Sequence, residues 1–206
     1  MAKFTGPKGK LVRRFGSNIF DNPKYDRLLE RKNHPPGQHG GKQQRRKVSD
    51  YGLQLIEKQK LKNSYGLLEK QFRRTFEKAS QQKGVTGDNL LRLLETRLDN
   101  AVFRAGFGTT RMQARQLINH GHLQVNGRRV NIPSFQVKVG DKVRVKDAEK
   151  SRQLVAKNIL NSPRFQQPNW VEVNPAEQQF SIQRLPARDE IHLDINEQLI
   201  IELYSK

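Results

Sequence analysis

Arg111 and Arg115 stand four residues apart, Arg128 and Arg129 follow an Asn126-Gly127 pair, and Lys142 and Arg144 alternate with Val143 and Val145. Guanidinium and ammonium groups gathered this densely suit one task above others, the holding of phosphate oxygens. The i, i+4 spacing puts Arg111 and Arg115 on one face near a helix start, where free amides also attract anions, and predicts that both lie outside. A single outward cation on a half-buried strand serves solubility as often as contact, whereas so many in one small unit point to a polyanion. Lys70, Arg73 and Arg74 add a third set, on a helix face that also carries Glu69 and Glu77 and is weak testimony alone. Lys3, Lys8, Lys10, Arg13 and Arg14, then Lys42, Arg45, Arg46 and Lys47, add two more near the N-terminus.

Other chemistries lack a foothold. With no cysteine there is no disulfide, thiol nucleophile or cysteine zinc site, and His34 and His39 lack the two further nearby ligands that zinc needs, so neither metal nor cofactor is expected. Arg97-Leu98-Asp99 is similar to a tripeptide in which pseudouridine synthases place their catalytic Asp. Here Asp99 falls inside a predicted helix, no separate domain of about 150 residues remains for catalysis, and Asp99-Asn100 is expected to support the helix or pair with an Arg. No P-loop, dinucleotide glycine motif, HExxH or GxSxG occurs, so no enzymatic activity is expected.

The elements that must position these cations follow from the periodicity. Leu94, Leu98, Ala101 or Val102, and Ala105 predict one helix ending before Gly106. Thr109 or Thr110 caps a second, running to about His120, with Ala114, Leu117 and Ile118 inward and Gly121 closing it. The period then drops to two. Leu123 and Val125 lead into Asn126-Gly127, the strongest short hairpin signal, and Phe135, Val137 and Val139, then Val143 and Val145, predict two further strands around a Gly140-Asp141 turn. Lys142, Arg144 and Lys146 therefore share a solvated face. Upstream, Ser49 or Asp50 begins a helix to about residue 63, Leu68, Phe72, Phe76 and Ala79 line a second, and residues from Thr86 start another. Downstream, residues 147–160 read as helix, 170–173 and 180–182 as strands of the same antiparallel sheet, and Asp194 as the cap of a final helix that returns to the first ones.

The net charge of +19 and pI near 10.5 imply a polyanionic partner, with nucleic acid the default. Residues 1–47 hold thirteen Lys/Arg against three acids, with sparse apolar residues and many Gly and Pro turns, and read as an arm that orders along RNA. Residues from 172 onward carry a net negative charge and are expected to face solvent or a basic neighbouring protein. No apolar run is long enough to span a membrane, and the start lacks the core of a signal peptide. Two helices with a short turn also fit a DNA-binding helix-turn-helix, but the basic hairpin beside them favours RNA.

TRMQARQLI followed by HLQVNGRRVNIPSFQVKVGDKVRV resembles the RNA-binding module named after protein four of the bacterial small ribosomal subunit. MAKFTGPKGKLVRRFG, PPGQHG, SDYGLQLIEKQKLK and INEQLIIELYSK extend the likeness along the chain, which is identified as a member of that protein's family. The resemblance implies a cytoplasmic, ribosome-bound structural protein that binds 16S rRNA and nucleates assembly of the subunit body. It also implies a part in translational accuracy through neighbouring proteins, notably protein five, and it sets Lys42, Arg45, Arg46 and Lys47 near the path by which messenger RNA enters. The expected fold is α+β: a basic extended arm (1–47) and a discontinuous helical domain (48–94 and 183–206), interrupted by an α+β RNA-binding domain with a small antiparallel sheet (95–182, core 96–156).

Overall fold

A computed structural model describes residues 4–41, 48–161, 168–191 and 193–205. They fall into two units, one from residues 1–77 and 193–206, the other from residues 78–192.

In the first unit the N-terminal segment is not extended. It carries α1 (Lys8–Phe15) and α2 (Pro23–Arg31), with the Asn22 side chain accepting from the Lys24 amide and Pro23 preset for a first helical turn. Val12 and Ile19 are buried. Arg13 closes the following loop, donating from Nε and Nη2 to the carbonyls of His34 and Pro35 at 3.0 Å each and bonding the His34 ring at 2.9 Å. The apolar residues are too few to show a period, and the clasp joins side chain to backbone across 21 residues, so composition alone reads as an arm.

α3 (Asp50–Ser64) starts at Ser49, whose hydroxyl accepts from the Gly52 amide, and α4 (Glu69–Ser80) buries Phe72, Phe76 and Ala79. The final helix (Glu197–Tyr204, named α9 below) is capped by the Asn196 side chain rather than Asp194 and packs on α3 as expected. Gln54 donates to Glu202 at 3.0 Å, and the Tyr204 ring stacks on Phe76 with centroids 4.5 Å apart. The Tyr204 hydroxyl, Lys58 and Lys62 converge on Glu69. Burial works to raise the Glu69 pKa, but these three hydrogen bonds hold it down at about 2.

In the second unit the predicted continuous helix is two: α5 (Thr86–Glu95) and α6 (Leu98–Arg104). The break at Thr96-Arg97 is made by residues 133–137, which do not form the expected strand. The Leu98 and Asp99 amides donate to the Phe135 and Pro133 carbonyls, the Val137 amide donates to Thr96, and Arg97 pairs with Gln136 in an isolated bridge. Gln136 also donates to the Leu93 carbonyl, and Glu95 binds Asn100 and Arg104, so α5 belongs with α6 and the sheet, and the units part after residue 77 rather than 94. α7 (Arg111–Asn119) and α8 (Glu149–Asn161) cover one side of a five-stranded antiparallel sheet, in the order β2-β1-β3-β5-β4. The strands are β1 (Leu123–Val125), β2 (Arg128–Arg129), β3 (Lys142–Val145), β4 (Val171–Asn174) and β5 (Gln179–Ile182). Leu117, Ile118, Val143, Val145, Val155, Trp170 and Phe180 join one core between them. Asn126 and Gly127 have φ of 49° and 79°, the positive pair that a two-residue hairpin turn with the right twist requires.

Candidate nucleic-acid interface

Strand register decides which cations meet. Gln124 pairs with Arg129 on one side and Arg144 on the other, so these three share the outward face, and Lys142 joins them two residues along β3. Arg144 Nε donates to the Gln124 amide oxygen at 2.9 Å, which fixes the guanidinium on the sheet. Arg129, Lys142, Arg144 and Lys146 are all exposed, while Val143 and Val145 between them are buried. Arg144 has Asp147 at 3.8 Å, and no carboxylate pairs with Arg129, Lys142 or Lys146 among the described residues. Alternation sets Arg128 apart, on the side of its partner Val125, though at the exposed turn. The far edge differs in sign: Glu172 on β4 pairs with Ser181, whose other neighbour is Lys142, and accepts from its hydroxyl at 3.2 Å.

The two helix arginines are not outside. Arg115 is only 3% exposed, and its guanidinium lies 3.7 Å from Asp99, which Arg97 already holds at 2.8 Å. Burial lowers the Arg115 pKa, Asp99 opposes this, and Arg97 adds to it. Half-buried Arg111 donates to the Asn100 side-chain oxygen at 2.9 Å and lies over the Phe103 ring at 4.6 Å. Glu95, 1% exposed, takes Arg104 through two bonds of 2.8 and 3.0 Å and the Asn100 amide at 2.7 Å. The expectation that Asp99 pairs with an Arg holds, and it is this pairing that withdraws Arg115 from the surface. At the start of α7 the Thr110 hydroxyl accepts from the Gln113 amide, and the Gln113 side chain accepts from the Thr109 amide at 2.8 Å, so part of the anion-attracting end is already satisfied.

In the first unit Lys70, Arg73 and Arg74 are exposed on α4, with Arg73 bound to Glu77 at 3.2 Å. On α1, Lys10 and Arg14 are exposed, Lys8 lies 5.0 Å from the Phe20 ring centroid, and Arg13 is engaged by the His34 loop. Lys3, Lys42, Arg45, Arg46 and Lys47 fall outside the described residues. No group of three or more His, Asp or Glu among the described residues could hold a metal, and none of the described helices is long and apolar enough to cross a membrane.

Sequence reasoning passed over His120, His122 and the ion cluster of Glu95, Asn100 and Arg104. Lys146 was legible as part of the cationic alternation, but the histidines carried no periodic signal.

Two family models match the chain, and they meet at residues 95 and 96 rather than where the two units of the fold part. Residues 3–95 match the family described as Ribosomal protein S4/S9 N-terminal domain, and residues 96–143 match the S4 domain. Among similar proteins, the Small ribosomal subunit protein uS4 of Borrelia hermsii (strain HS1 / DAH) is 52% identical over 200 residues, covering 97% of this chain and 96% of its own. The protein of the same name from Chloroflexus aurantiacus (strain ATCC 29366 / DSM 635 / J-10-fl) is 52% identical over 210 residues and all of both chains. That of Borreliella burgdorferi (strain ZS7) is 48% identical over 200 residues, with 97% and 96% coverage.

Proposed function

The chain belongs to the family of small ribosomal subunit protein uS4, a structural and non-enzymatic component of that subunit, and from this premise we propose that it holds a multi-helix junction in the 5′ region of 16S rRNA and nucleates assembly of the subunit body. The observation that carries the reading is the outward sheet face of Arg129, Lys142 and Arg144, set by strand register, whose one ion pair among the described residues is that of Arg144 with Asp147 at 3.8 Å. Such a face reads no base sequence. It fits RNA through shape and phosphate, and fixes geometry by many weak contacts acting together. Lys70, Arg73 and Arg74, with Lys10 and Arg14, extend the contact from the first unit; Lys8 and Lys3 belong to the same set.

Two finer roles complete the proposal. The α3–α9 surface, where Gln54 meets Glu202, contacts protein five of the small subunit and so influences decoding accuracy. Lys42, Arg45, Arg46 and Lys47 grip incoming messenger RNA through phosphate.

Filter binding of a junction-containing 16S fragment across a salt series tests the main reading, with duplex DNA at the same salt as control. Each phosphate contact contributes roughly 0.7–0.9 to the log–log slope, so replacing Arg129, Lys142 and Arg144 together by Gln should reduce it by about 2 to 3. A wild-type slope near zero, or equal affinity for duplex DNA, refutes the assignment.

A further inference from the structure

At the end of α7 the chain turns through a left-handed glycine. Gly121 has φ of 70°, its amide donates to Ile118 at 2.8 Å, and the His122 amide reaches back to Leu117 at 3.1 Å, the double bond that closes a helix of this kind. The Arg129 guanidinium lies directly on Gly121, so close that a side chain there would overlap it. His120 and His122 flank the same glycine with ring centroids 6.0 Å apart. The Lys146 amide donates to the His122 carbonyl at 2.8 Å, which brings the start of the β3–α8 link alongside. Four cationic or protonatable side chains from three elements therefore surround one backbone turn.

No acid among the described residues of the second unit neutralises them. The nearest in sequence, Asp147, is bound by Arg152 and lies 3.8 Å from Arg144, while Glu149 accepts from Gln153 at 2.9 Å. From α8 the group that meets His122 is uncharged, the Ser151 hydroxyl, 2.9 Å from Nδ1. The second ring nitrogen, Nε2, has no partner among the described residues, nor does either ring nitrogen of His120. The buried charges of this unit behave otherwise: Glu95 has Arg104 and Asp99 has Arg97, each within 2.8 Å. A cluster left positive and unpaired is costly to the free protein and is relieved by an anion.

The geometry points to a phosphate site at the end of α7, built from His120, His122, Arg129 and Lys146, that takes a backbone phosphodiester of RNA and binds it with uptake of a proton from solvent by its imidazoles. This inference rests on the RNA-binding reading above and deepens it. Arg129 supplies the permanent charge with a forked donor set, Lys146 a second charge, and the two rings gain their full donor set only when protonated. Burial, then His120, Arg129 and Lys146 in turn, hold the His122 pKa below its ordinary value in the free protein. A bound phosphodiester reverses the sign of its surroundings, so the proton arrives with the ligand and affinity rises as pH falls.

The test is a pH series at fixed salt on the full chain, with the 16S junction fragment as probe and imidazole NMR alongside. Binding should be about fivefold tighter at pH 6 than at pH 8, the gain expected when binding raises one imidazole pKa by about one. His120→Gln/His122→Gln should abolish that gain, and the His122 titration midpoint should move upward when RNA is added. Because His122 touches buried Ser151, Trp170 emission checks that the double variant is folded; if it is not, His120→Gln alone, at an exposed ring, must still reduce the gain. Tight but pH-independent binding, or a gain that survives both substitutions, overturns the inference and leaves the RNA reading standing. A midpoint moved by inorganic phosphate and not by RNA makes this a small-anion site and overturns it equally, and failure to bind RNA at either pH removes both.

Discussion

Asp99 holds two buried guanidinium groups, and replacing it by Asn should unfold the second unit more readily than any substitution of its surface arginines. Its carboxylate is 2.8 Å from Arg97 and 3.7 Å from Arg115, and all three side chains are under a tenth exposed. Removing the negative charge takes from two buried cations the carboxylate that both face, a class of change that costs about 3–5 kcal/mol. Arg115→Met is milder, because Asp99 keeps its bidentate partner Arg97 and no buried charge loses all its compensation. Lys142→Gln with Arg144→Gln touches exposed side chains and should stay within about 0.5 kcal/mol. The assay is urea unfolding followed by fluorescence of Trp170, which is the single tryptophan and lies in the core of this unit, so its emission reports on this unit. An Asp99→Asn variant within about 0.5 kcal/mol of wild type, or an Arg115→Met variant that is the less stable of the two, would refute the argument.

Two further outcomes concern other sites. Glu69→Gln should lower stability near neutral pH by about 1 kcal/mol or less, since its side chain is 48% exposed and solvent screens the pair. The carboxyl titrates at about 2 when folded against 4.5 otherwise, so the stability it contributes is complete above 4.5 and lost as pH falls toward 2; urea midpoints of wild type and variant should converge across that window and not above it. Gly121→Ala and Gly127→Ala both force an L-residue into positive φ and should each cost about 1–2 kcal/mol, but only Gly121→Ala displaces Arg129, so only it should also weaken RNA binding in the filter assay.

What could be read from the chain in advance was what local chemistry decides. Asn126-Gly127 makes its turn from its own φ preferences, Gly106 and Gly121 stop their helices in the same way, and the alternation of Lys142, Val143, Arg144 and Val145 sets their faces without outside help. The errors share a different cause. α5 and α6 separate because residues 133–137 claim the amides at the break, from far along the chain. Arg115 is buried because Asp99 waits for it on another helix, and Arg13 folds the N-terminal segment by reaching 21 residues ahead. Helical spacing gives the direction of a side chain relative to its own axis and is silent on what stands opposite. The same blindness hid His120 and His122, whose significance comes from Arg129 and Lys146 arriving on other elements.

The sheet of the second unit has cations at its hairpin edge and Glu172 at its far strand. That separation gives the unit an electrical direction. In the field of a polyanion it experiences a torque as well as an attraction, so a unit approaching at random turns hairpin edge first before any atom touches. Encounters that lead with the hairpin edge are favoured over those that lead with β4, which raises the rate of capture above that of unsteered collisions.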